Sequence, residues 1–238
     1  MDYKKKFNEK YRNSRFWSRF ERKPDLRNAK VLDLGCQTGS LCVDMALAGA
    51  DKVVGIDLNS SSIHFAVRNL KENYSSLLNI IEFENMHLEN YPHFLFDYIV
   101  SKDTLEHVHD LDRVLEEMKK RLNTGGELYL GFGPLWKSPF GGHHKGVKKY
   151  IPWMHLLLSS SLCRKVYSKK KRGHMYSNLN KLTFQEYERI FQKSDFSIEF
   201  IKINNSEKIL SKMFSQFRRI PFLREYFTFN VYCILKKK

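Results

Sequence analysis

A glycine-containing turn after a short apolar run constrains the fold of this chain more than any other feature. The stretch Val31–Gly39 reads VLDLGCQTG, and a second acid, Asp57, follows 24 positions after Asp33 at the end of another apolar run. Gly35 and Gly39 allow the backbone to turn sharply and approach a ligand. The next residues are expected to form a helix whose N-terminus points at that ligand. Because a carboxylate can accept hydrogen bonds from a ribose, we expect a nucleoside-cofactor pocket at the carboxyl ends of parallel strands.

The spacing of the glycines separates two kinds of nucleoside cofactor. A dinucleotide-binding loop requires G-x-G-x-x-G, but Gln37 occupies the middle position here and the third glycine is missing. The pattern instead resembles motif I of the class I S-adenosylmethionine-dependent methyltransferases, usually D-x-G-x-G-x-G. Since Gln37 replaces the commonest glycine of that motif, we expect a local difference around the methionine part of the cofactor. The alternative is a structural turn of similar composition.

Three further segments resemble the same family, in its order and at its spacing. Phe96–Asp110, FDYIVSKDTLEHVHD, resembles the fourth strand and the helix after it, and Leu122–Gly133, LNTGGELYLGFG, resembles the fifth strand behind a glycine turn. Asn85 stands 12 positions before Asp97, where many relatives have an acid that binds the adenine amino group. An asparagine carbonyl oxygen can accept the same hydrogen bond. The resemblance covers about residues 30–133 and implies these cofactor-binding residues: Asp33, Gly35, Cys36, Gly39, Asp57, Leu58, Asn85, Met86 and Ser101.

Strand-like and helix-like segments alternate along the first half of the chain, which predicts a doubly wound parallel sheet. The expected strands are Lys30–Leu34, Lys52–Leu58, Ile80–Glu84, Phe96–Ser101 and Glu127–Phe132, with helices at about Leu41–Leu47, Ser61–Asn73 and Leu111–Leu122. Asp110 is expected to cap the last of these helices, and Thr183–Glu186, TFQE, predicts a capping box that opens a helix ending at Ser194. Phe196–Ile203 and Phe227–Leu235 are expected to end the sheet as an antiparallel pair. The predicted fold class is therefore α/β, a Rossmann-like seven-stranded methyltransferase sheet with helical substrate-covering insertions.

The 238 residues are expected to form a single domain. Its parts are an N-terminal helical segment at 1–29, a cofactor-binding core at 30–133, a basic insert at 134–182, and a C-terminal helix and strand pair at 183–238 with a second insert at 205–226. Both inserts are predicted to cover the substrate, since ligands of open α/β sheets bind outside the carboxyl ends of the strands. Tyr3, Phe7 and Tyr11 share one helical face, which indicates either packing on the core or a flap over the cofactor.

Positive charge is concentrated in the basic insert. The net charge is +15, but residues 31–127 carry 8 basic and 16 acidic side chains, whereas residues 128–185 carry 11 basic and no acidic ones. This asymmetry favours an anionic partner; the alternative is a lysine-rich surface that serves solubility. The insert also contains aromatic residues, which stack on nucleic-acid bases or sugar rings, or lie at membrane headgroups. Ile151–Val166 and Phe214–Phe227 mix apolar and cationic residues, as expected of a helical lid or of a peripheral contact with an anionic membrane.

The N-terminal residues lack the apolar core of a secretory signal, and no apolar run approaches the roughly 20 residues that span a bilayer. We therefore expect a cytoplasmic protein, with peripheral membrane contact as a further option. No C-x-x-C pair is present, so four free thiols are expected in a reducing compartment: Cys36, Cys42, Cys163 and Cys233.

Two adjacent histidines, His143 and His144, follow the fifth strand in GPLWKSPFGGHHKG. Methyl transfer from a sulfonium is a direct displacement, and a hydroxyl acceptor must also lose a proton, for which a histidine is suited near neutral pH. The segment is similar to a P-L-W-x-S-P-x-G-x-H stretch that family relatives carry over the active site. We expect one of the two to act as the catalytic base; the alternative is a pair of loop histidines bonded to the backbone.

A second group of polar residues, Asp103, Glu106 and His107, follows the fourth strand. It resembles the E-x-x-E-H stretch of the ubiquinone-biosynthesis O-methyltransferases, in which the acids and the histidine are associated with a divalent cation; Asp103 replaces the first glutamate. The resemblance implies a cation site. Oxygen ligands suit magnesium, and a cation can lower the pKa of a substrate oxygen. The alternative is that Glu106 and His107 only order the loop, as in metal-free relatives.

These features predict a class I S-adenosylmethionine-dependent methyltransferase, similar to the ubiquinone-biosynthesis branch, that O-methylates an anionic small-molecule, sugar, glycan or lipid-linked acceptor. One alternative is an RNA or protein methyltransferase that uses the basic face. Nucleic acid is the less favoured partner, because SKDTLEH stands where enzymes acting on planar nitrogens have D/N-P-P-Y/F. The other alternative is a non-catalytic cofactor-binding scaffold at a membrane.

Overall fold

A computed structural model describes residues 3–8, 11–143, 151–158, 179–203, 213 and 216–238. These residues contain a seven-stranded sheet with the strand order β3-β2-β1-β4-β5-β7-β6. The strands are β1 Lys30–Leu34, β2 Lys52–Ile56, β3 Ile81–Glu84, β4 Phe96–Lys102, β5 Leu122–Phe132, β6 Phe196–Ile203 and β7 Val231–Lys237. Neighbouring strands from β1 to β5 are parallel, while β7 is antiparallel to both β5 and β6. The predicted α/β fold class and the reversed end of the sheet are confirmed.

The described helices have the bounds α1 Tyr3–Asn8, α2 Tyr11–Trp17, α3 Ser40–Leu47, α4 Ser60–Asn73, α5 Leu111–Lys120, α6 Met154–Leu157 and α7 Phe184–Lys193. Two predicted caps are present. The Asp110 side chain accepts a hydrogen bond of 3.1 Å from the Arg113 amide at the start of α5. The Thr183 hydroxyl accepts from the Glu186 amide, and the Glu186 carboxylate accepts from the Thr183 amide, which is the capping box of α7.

Two predicted boundaries were wrong by several residues. β5 begins at Leu122 rather than Glu127, because Leu122 pairs with Phe96 and a register shift in β4 accommodates the glycines. β7 begins at Val231 rather than Phe227, because the preceding residues form short 3₁₀ turns. Smaller differences place the end of β2 at residue 56 and the end of α5 at residue 120.

The buried side chains form one cluster on each face of the sheet. The cluster that includes α5 and α7 contains the buried rings of Phe132, Tyr187 and Phe191. The opposite cluster includes α3, α4 and the N-terminal helices. Tyr3 stacks on Phe65 of α4 with ring centroids 5.6 Å apart. These contacts favour the packing interpretation of the N-terminal aromatic residues over the flap.

The strand register brings three loops to one edge of the sheet. Leu34 pairs with both Ile56 and Ser101, so that β1, β2 and β4 end side by side. Val231 at the start of β7 pairs with both Phe132 and Ile203. The segment after β6 therefore leaves the sheet at the same edge as the loops after β1, β2 and β4, which is called here the carboxyl edge.

Parts of the sequence predictions lie outside the described residues. They include His144, Cys163 and most of the basic insert. Cys36, Cys42 and Cys233 are buried thiols. Among the described residues, no helix has both the length and the apolar character needed to cross a membrane.

Candidate functional site

A cleft of about 370 Å³ opens at the carboxyl edge between the ends of β1, β2 and β4. Six residues predicted for the cofactor or a metal line it: Gly35, Asp57, Leu58, Met86, Asp103 and His107. The lining also includes residues that the sequence reasoning did not select, among them Gln37, Asn59, Ser62, His87, Thr104 and Val108. The cleft thus joins the glycine turn after β1 to the loop after β4.

Asp57 is held in place by the backbone of two loops. One carboxylate oxygen accepts a hydrogen bond of 2.9 Å from the Gln37 amide, and the other accepts one of 2.8 Å from the Asn59 amide. Each carboxylate oxygen has two lone pairs, so the side chain can still accept hydrogen bonds from the two hydroxyls of a ribose. Gln37 has a φ of +50°, in the left-handed region that favours glycine. This conformation explains why glycine is the commonest residue of motif I at this position.

Gly35 turns the chain into the cleft with almost no space to spare. Its φ is +82°, and a Cβ atom built on it would lie 2.0 Å from Oγ1 of Thr104. The Gly35 amide donates a 2.8 Å hydrogen bond to the Ile56 carbonyl, which ties the turn to the end of β2. A side chain at this position would push apart the loops after β1 and β4.

Several predicted cofactor residues lie behind the cleft rather than in its lining. Gly39 is the N-cap residue of α3, and a Cβ atom there would lie 2.4 Å from the ring of Phe83, so the lack of a side chain permits close packing. Ser101 donates a 2.9 Å hydrogen bond to the Leu34 carbonyl inside the sheet. Cys36 is buried at the glycine turn, and Asp33 is buried at the end of β1.

Asp33 is the most perturbed carboxyl group of the described residues. Burial raises its pKa from 3.8 to about 7, although a hydrogen bond from the Cys42 thiol and the charge of Lys102 act in the opposite direction. The thiol lies 3.2 Å from the carboxyl oxygen. Asp33 is therefore largely protonated below neutral pH and links β1 to α3.

The side-chain amide nitrogen of Asn85 contacts the loop after β2. Nδ2 donates a 2.8 Å hydrogen bond to the backbone carbonyl of Asp57. The side chain itself is exposed and stands beside Met86, which lines the cleft. The orientation fixes the amide so that its oxygen is the group left to accept a hydrogen bond from an adenine amino group.

Glu106, His107 and His143 form a compact polar cluster beside the cleft. One ligand atom from each lies within 4.8 Å of the others. Glu106 and His143 are buried, whereas His107 is exposed and lines the cleft. The two imidazole rings are 5.6 Å apart and nearly perpendicular. Asp103 lies outside this cluster, so the group of possible metal ligands differs from the predicted one by the exchange of Asp103 for His143.

The tautomer of neutral His143 follows from its backbone contact. Nε2 lies 2.7 Å from the Pro134 carbonyl oxygen, which can only accept a hydrogen bond, so Nε2 carries the proton. In the neutral ring Nδ1 is then the basic nitrogen. Nδ1 is therefore the nitrogen of neutral His143 that can take a proton.

Asn180 holds the loop that carries the cluster. Its side-chain nitrogen donates to the Leu105 carbonyl at 2.8 Å and to the Val108 carbonyl at 2.9 Å. Its backbone N–H donates to the Glu106 carbonyl at 2.9 Å. The hydroxyl of Tyr187 also contacts it. This role of Asn180 could not be predicted from a local pattern, because 75 positions separate Asn180 from Leu105.

Lys102 at the end of β4 connects the cleft region to the N-terminal helices. Its ammonium group donates a 2.9 Å hydrogen bond to the Asn13 side chain of α2. Asn13, which is buried, donates in turn to the carbonyl of Ser40, the first residue of α3. Lys102 thus links the end of β4 to α2.

The fold, the turn at Gly35 and the acid after β2 lie together as the sequence predicted for a nucleoside-cofactor pocket. Residues 25–132 match the family described as "Methyltransferase domain". A tRNA U34 carboxymethyltransferase from Campylobacter hominis is 34% identical over 108 residues, which are 44% of this chain and 36% of that protein. A ubiquinone biosynthesis O-methyltransferase from Pelagibacter ubique is 33% identical over 44% of this chain and 42% of its own length.

A solved structure extends the likeness to nearly the whole chain. The geranyl diphosphate C-methyltransferase of Streptomyces coelicolor superposes with a TM-score of 0.64 at 14% identity, covering 97% of this chain and 81% of that one. Its crystals contained Mg²⁺ and S-adenosyl-L-homocysteine. The matched region spans less than half the length of the two relatives compared by sequence. The match to the methyltransferase-domain family over residues 25–132 agrees with the family predicted from the sequence, and the relatives differ in the acceptor that their names specify.

Proposed function

We propose that this chain is an S-adenosylmethionine-dependent methyltransferase that methylates a hydroxyl group of a small-molecule, sugar or lipid-linked acceptor. Asp57 binds the ribose of the cofactor, and the Asn85 carbonyl oxygen accepts a hydrogen bond from the adenine amino group. Gly35 and Gln37 bring their backbone against the rest of the cofactor. Support for this arrangement comes from the cleft, which is lined by the turn, by Asp57 and by Met86.

The cluster beside the cleft is the observation that favours an oxygen acceptor. A hydroxyl oxygen attacks the methyl carbon, the bond between that carbon and the sulfonium sulfur breaks, and S-adenosylhomocysteine leaves. His143 takes the hydroxyl proton as the acceptor enters from the cleft. His107, which lines the cleft with its ring 5.6 Å from that of His143, orients the acceptor. General-base catalysis of this kind contributes about 10²–10⁴-fold in rate.

The same cluster fits a divalent metal ion in its composition. Two imidazole nitrogens and one carboxylate suit a transition metal such as Mn²⁺, Fe²⁺ or Zn²⁺ better than Mg²⁺, which prefers oxygen ligands. Glu106, His107 and His143 would hold the ion, and a bound ion would lower the pKa of a coordinated hydroxyl. Magnesium ligation by Asp103 with Glu106 and His107 is less well supported, because Asp103 lies outside the cluster.

Cofactor binding and methyl transfer are tested separately. Titration calorimetry with S-adenosylmethionine should detect binding to the wild-type chain and at least tenfold weaker binding to Asp57→Ala, since two ribose hydrogen bonds to a charged group are lost. The absence of cofactor binding to the wild-type chain would overturn the proposal. Transfer is measured by mass spectrometry of extracts incubated with methyl-labelled cofactor, with anionic phenols, glycans and tRNA as defined acceptors.

The histidine variants identify the acceptor chemistry. His143→Gln should reduce product formation by about 10²-fold or more without weakening cofactor binding. His109→Gln, which replaces an exposed histidine in the same loop region, is the matched control. Methylation that resists His143→Gln would exclude the base, and product found only on tRNA would favour the alternative of an RNA methyltransferase. Cofactor binding without any product would favour a non-catalytic scaffold. Loss of activity with a chelator, restored by Mn²⁺ or Zn²⁺, would support the metal.

A further inference from the structure

A pocket of about 340 Å³ lies at the carboxyl edge, between the end of β6 and the segment before β7. Three cationic side chains line it together with Ile203 and Gln216: Arg218, Arg219 and Arg224. This group is called the arginine pocket. Three guanidinium groups around one small space are a recognition site for phosphate, because each presents several hydrogen-bond donors in a planar fork.

Among the described residues, the positive charge of the arginine pocket is only partly compensated. Arg224 pairs with Glu188 at 3.2 Å. Glu225, the neighbour of Arg224 in sequence, accepts hydrogen bonds from the amides of residues 184 and 185 at the start of α7. Nε of Arg218 is buried and has no hydrogen-bond acceptor among the described residues. Burial and the charge of Arg224 lower the pKa of Arg218, so an anion in the pocket would supply both the missing acceptor and the missing negative charge.

Exposed apolar side chains alternate with these arginines along the chain. Phe222 is 76% exposed and Phe217 is 45% exposed, and Ile220 and Tyr226 of the same segment are exposed as well. Single exposed apolar residues are ordinary, but a group of large ones on one short segment marks a contact surface. Alternation of such residues with arginines along the chain is the composition of a segment that lies in a membrane interface.

The short segment 151–158 extends the same surface. Nε1 of Trp153 donates a 3.2 Å hydrogen bond to the carbonyl of Tyr226, and the Trp153 ring contacts Phe227 at 5.3 Å. Leu157 on α6 is 79% exposed, the largest exposed fraction among the large apolar side chains of the described residues. Lys137 lies over the ring of Tyr226. The segments 151–158 and 216–227, which are far apart in sequence, therefore contact each other, and both carry exposed apolar side chains.

We propose that the arginine pocket and the apolar side chains around it form a docking surface for a membrane that contains anionic phospholipids. Headgroup phosphates occupy the pocket, while Phe222 and Leu157 enter the boundary between headgroups and acyl chains. The strand register places this surface at the edge that also carries the cleft, so docking brings the cleft close to the lipid. Charge complementarity favours this occupant, since each cation near an anionic leaflet strengthens binding by about fivefold.

Vesicle co-sedimentation of the full chain tests the docking surface. Vesicles of phosphatidylcholine alone are compared with vesicles that also contain phosphatidylglycerol, at low and high salt. The wild-type chain should bind the anionic vesicles and be released by salt. Arg218→Gln/Arg219→Gln should bind roughly 25-fold more weakly, and Phe222→Ser about tenfold more weakly. Free inorganic phosphate should compete only weakly, because it lacks the acyl chains.

Matched control variants separate the surface from the net charge. Leu47→Ser removes an apolar side chain that is 60% exposed at the far end of α3, and Arg68→Gln removes an exposed cation from α4. Both should bind vesicles as the wild-type chain does. Equal losses in the control variants would overturn the proposal, and so would binding to neither vesicle.

Two other occupants would also overturn the proposal. One is a dimer, detected by light scattering, that dissociates in Phe222→Ser. The other is tighter binding to single-stranded RNA than to vesicles at the same salt concentration. Calorimetry with S-adenosylmethionine should be unchanged in all of these variants, so failure of docking is distinguishable from failure of the proposed methyltransferase activity.

Discussion

Replacement of Asp33 by asparagine should change how the stability of this protein depends on pH. The carboxyl group is buried, and burial raises its pKa from 3.8 to about 7. Such a group keeps its proton in the folded state over a range in which the unfolded chain has already released it. The free energy of unfolding of the wild-type chain therefore falls as the pH rises through that range. Asparagine has the same shape and no proton to release, so Asp33→Asn lacks this loss.

The size of the effect follows from the two pKa values. Each pKa unit corresponds to about 1.4 kcal/mol, so the rise to about 7 amounts to about 4 kcal/mol once the group is ionised in both states. We expect the wild-type chain and Asp33→Asn to differ least near pH 4. From there the variant should gain up to about 1.4 kcal/mol per pH unit relative to the wild-type chain, and the gain should level off above pH 7.

Urea unfolding, followed by circular dichroism between about pH 4 and pH 8 without cofactor, measures this difference directly. The slope of free energy against urea should be the same in both proteins, so that the midpoints can be compared. Asp51→Asn removes an exposed carboxylate and controls for the change in net charge. Parallel pH profiles for the wild-type chain and Asp33→Asn would show that Asp33 is ionised in the folded protein, and the assignment of a protonated buried acid would then be wrong.

Three further substitutions test the site and its support. Gly35→Ala should weaken S-adenosylmethionine binding by at least tenfold in calorimetry, because its Cβ atom would lie 2.0 Å from Oγ1 of Thr104; Thr104→Gly in the same chain should recover part of the loss. Asn180→Leu should lower the free energy of unfolding by about 2 kcal/mol, since buried carbonyls lose their donor, and should reduce kcat more than cofactor affinity. Thr183→Ala should cost about 1 kcal/mol in urea unfolding through loss of the cap of α7, with cofactor affinity unchanged.

Local patterns account for the parts of the fold that were predicted well. The capping box before α7 and the strand at 196–203 were located to the residue, because both depend on side chains close together in sequence. The glycine turn and Asp57 were placed at one edge because parallel strands end side by side. The start of β5 was missed, because pairing of Leu122 with β4 outweighs the turn preference of the glycines that follow.

The candidate site was harder to predict because its groups come from distant segments. Asp103 was grouped with Glu106 and His107 from the resemblance to an E-x-x-E-H stretch, whereas His143 was predicted separately as a catalytic base. His143 reaches the cluster through the loop after β5, whose path depends on contacts such as the hydrogen bond to Pro134 and not on any periodic pattern. The role of Asn180 could not be predicted for the same reason, since its contacts with Leu105 and Val108 join distant parts of the chain. Gly39 was predicted to bind the cofactor, and the structure adds a packing reason for glycine there, since a Cβ atom would lie 2.4 Å from the ring of Phe83.

The two hydrogen bonds of Asn13 connect the N-terminal helices to the loops around the cleft. They join α2 both to Lys102 and to the first turn of α3, directly beyond the glycine loop. A cofactor that orders that loop is expected to stabilise the packing of α2 as well. By thermodynamic linkage, stable packing of α2 then favours cofactor binding. Because these hydrogen bonds link the amino-terminal segment to the loops that line the cleft, removal of that segment is expected to weaken cofactor binding although it lies outside the cleft.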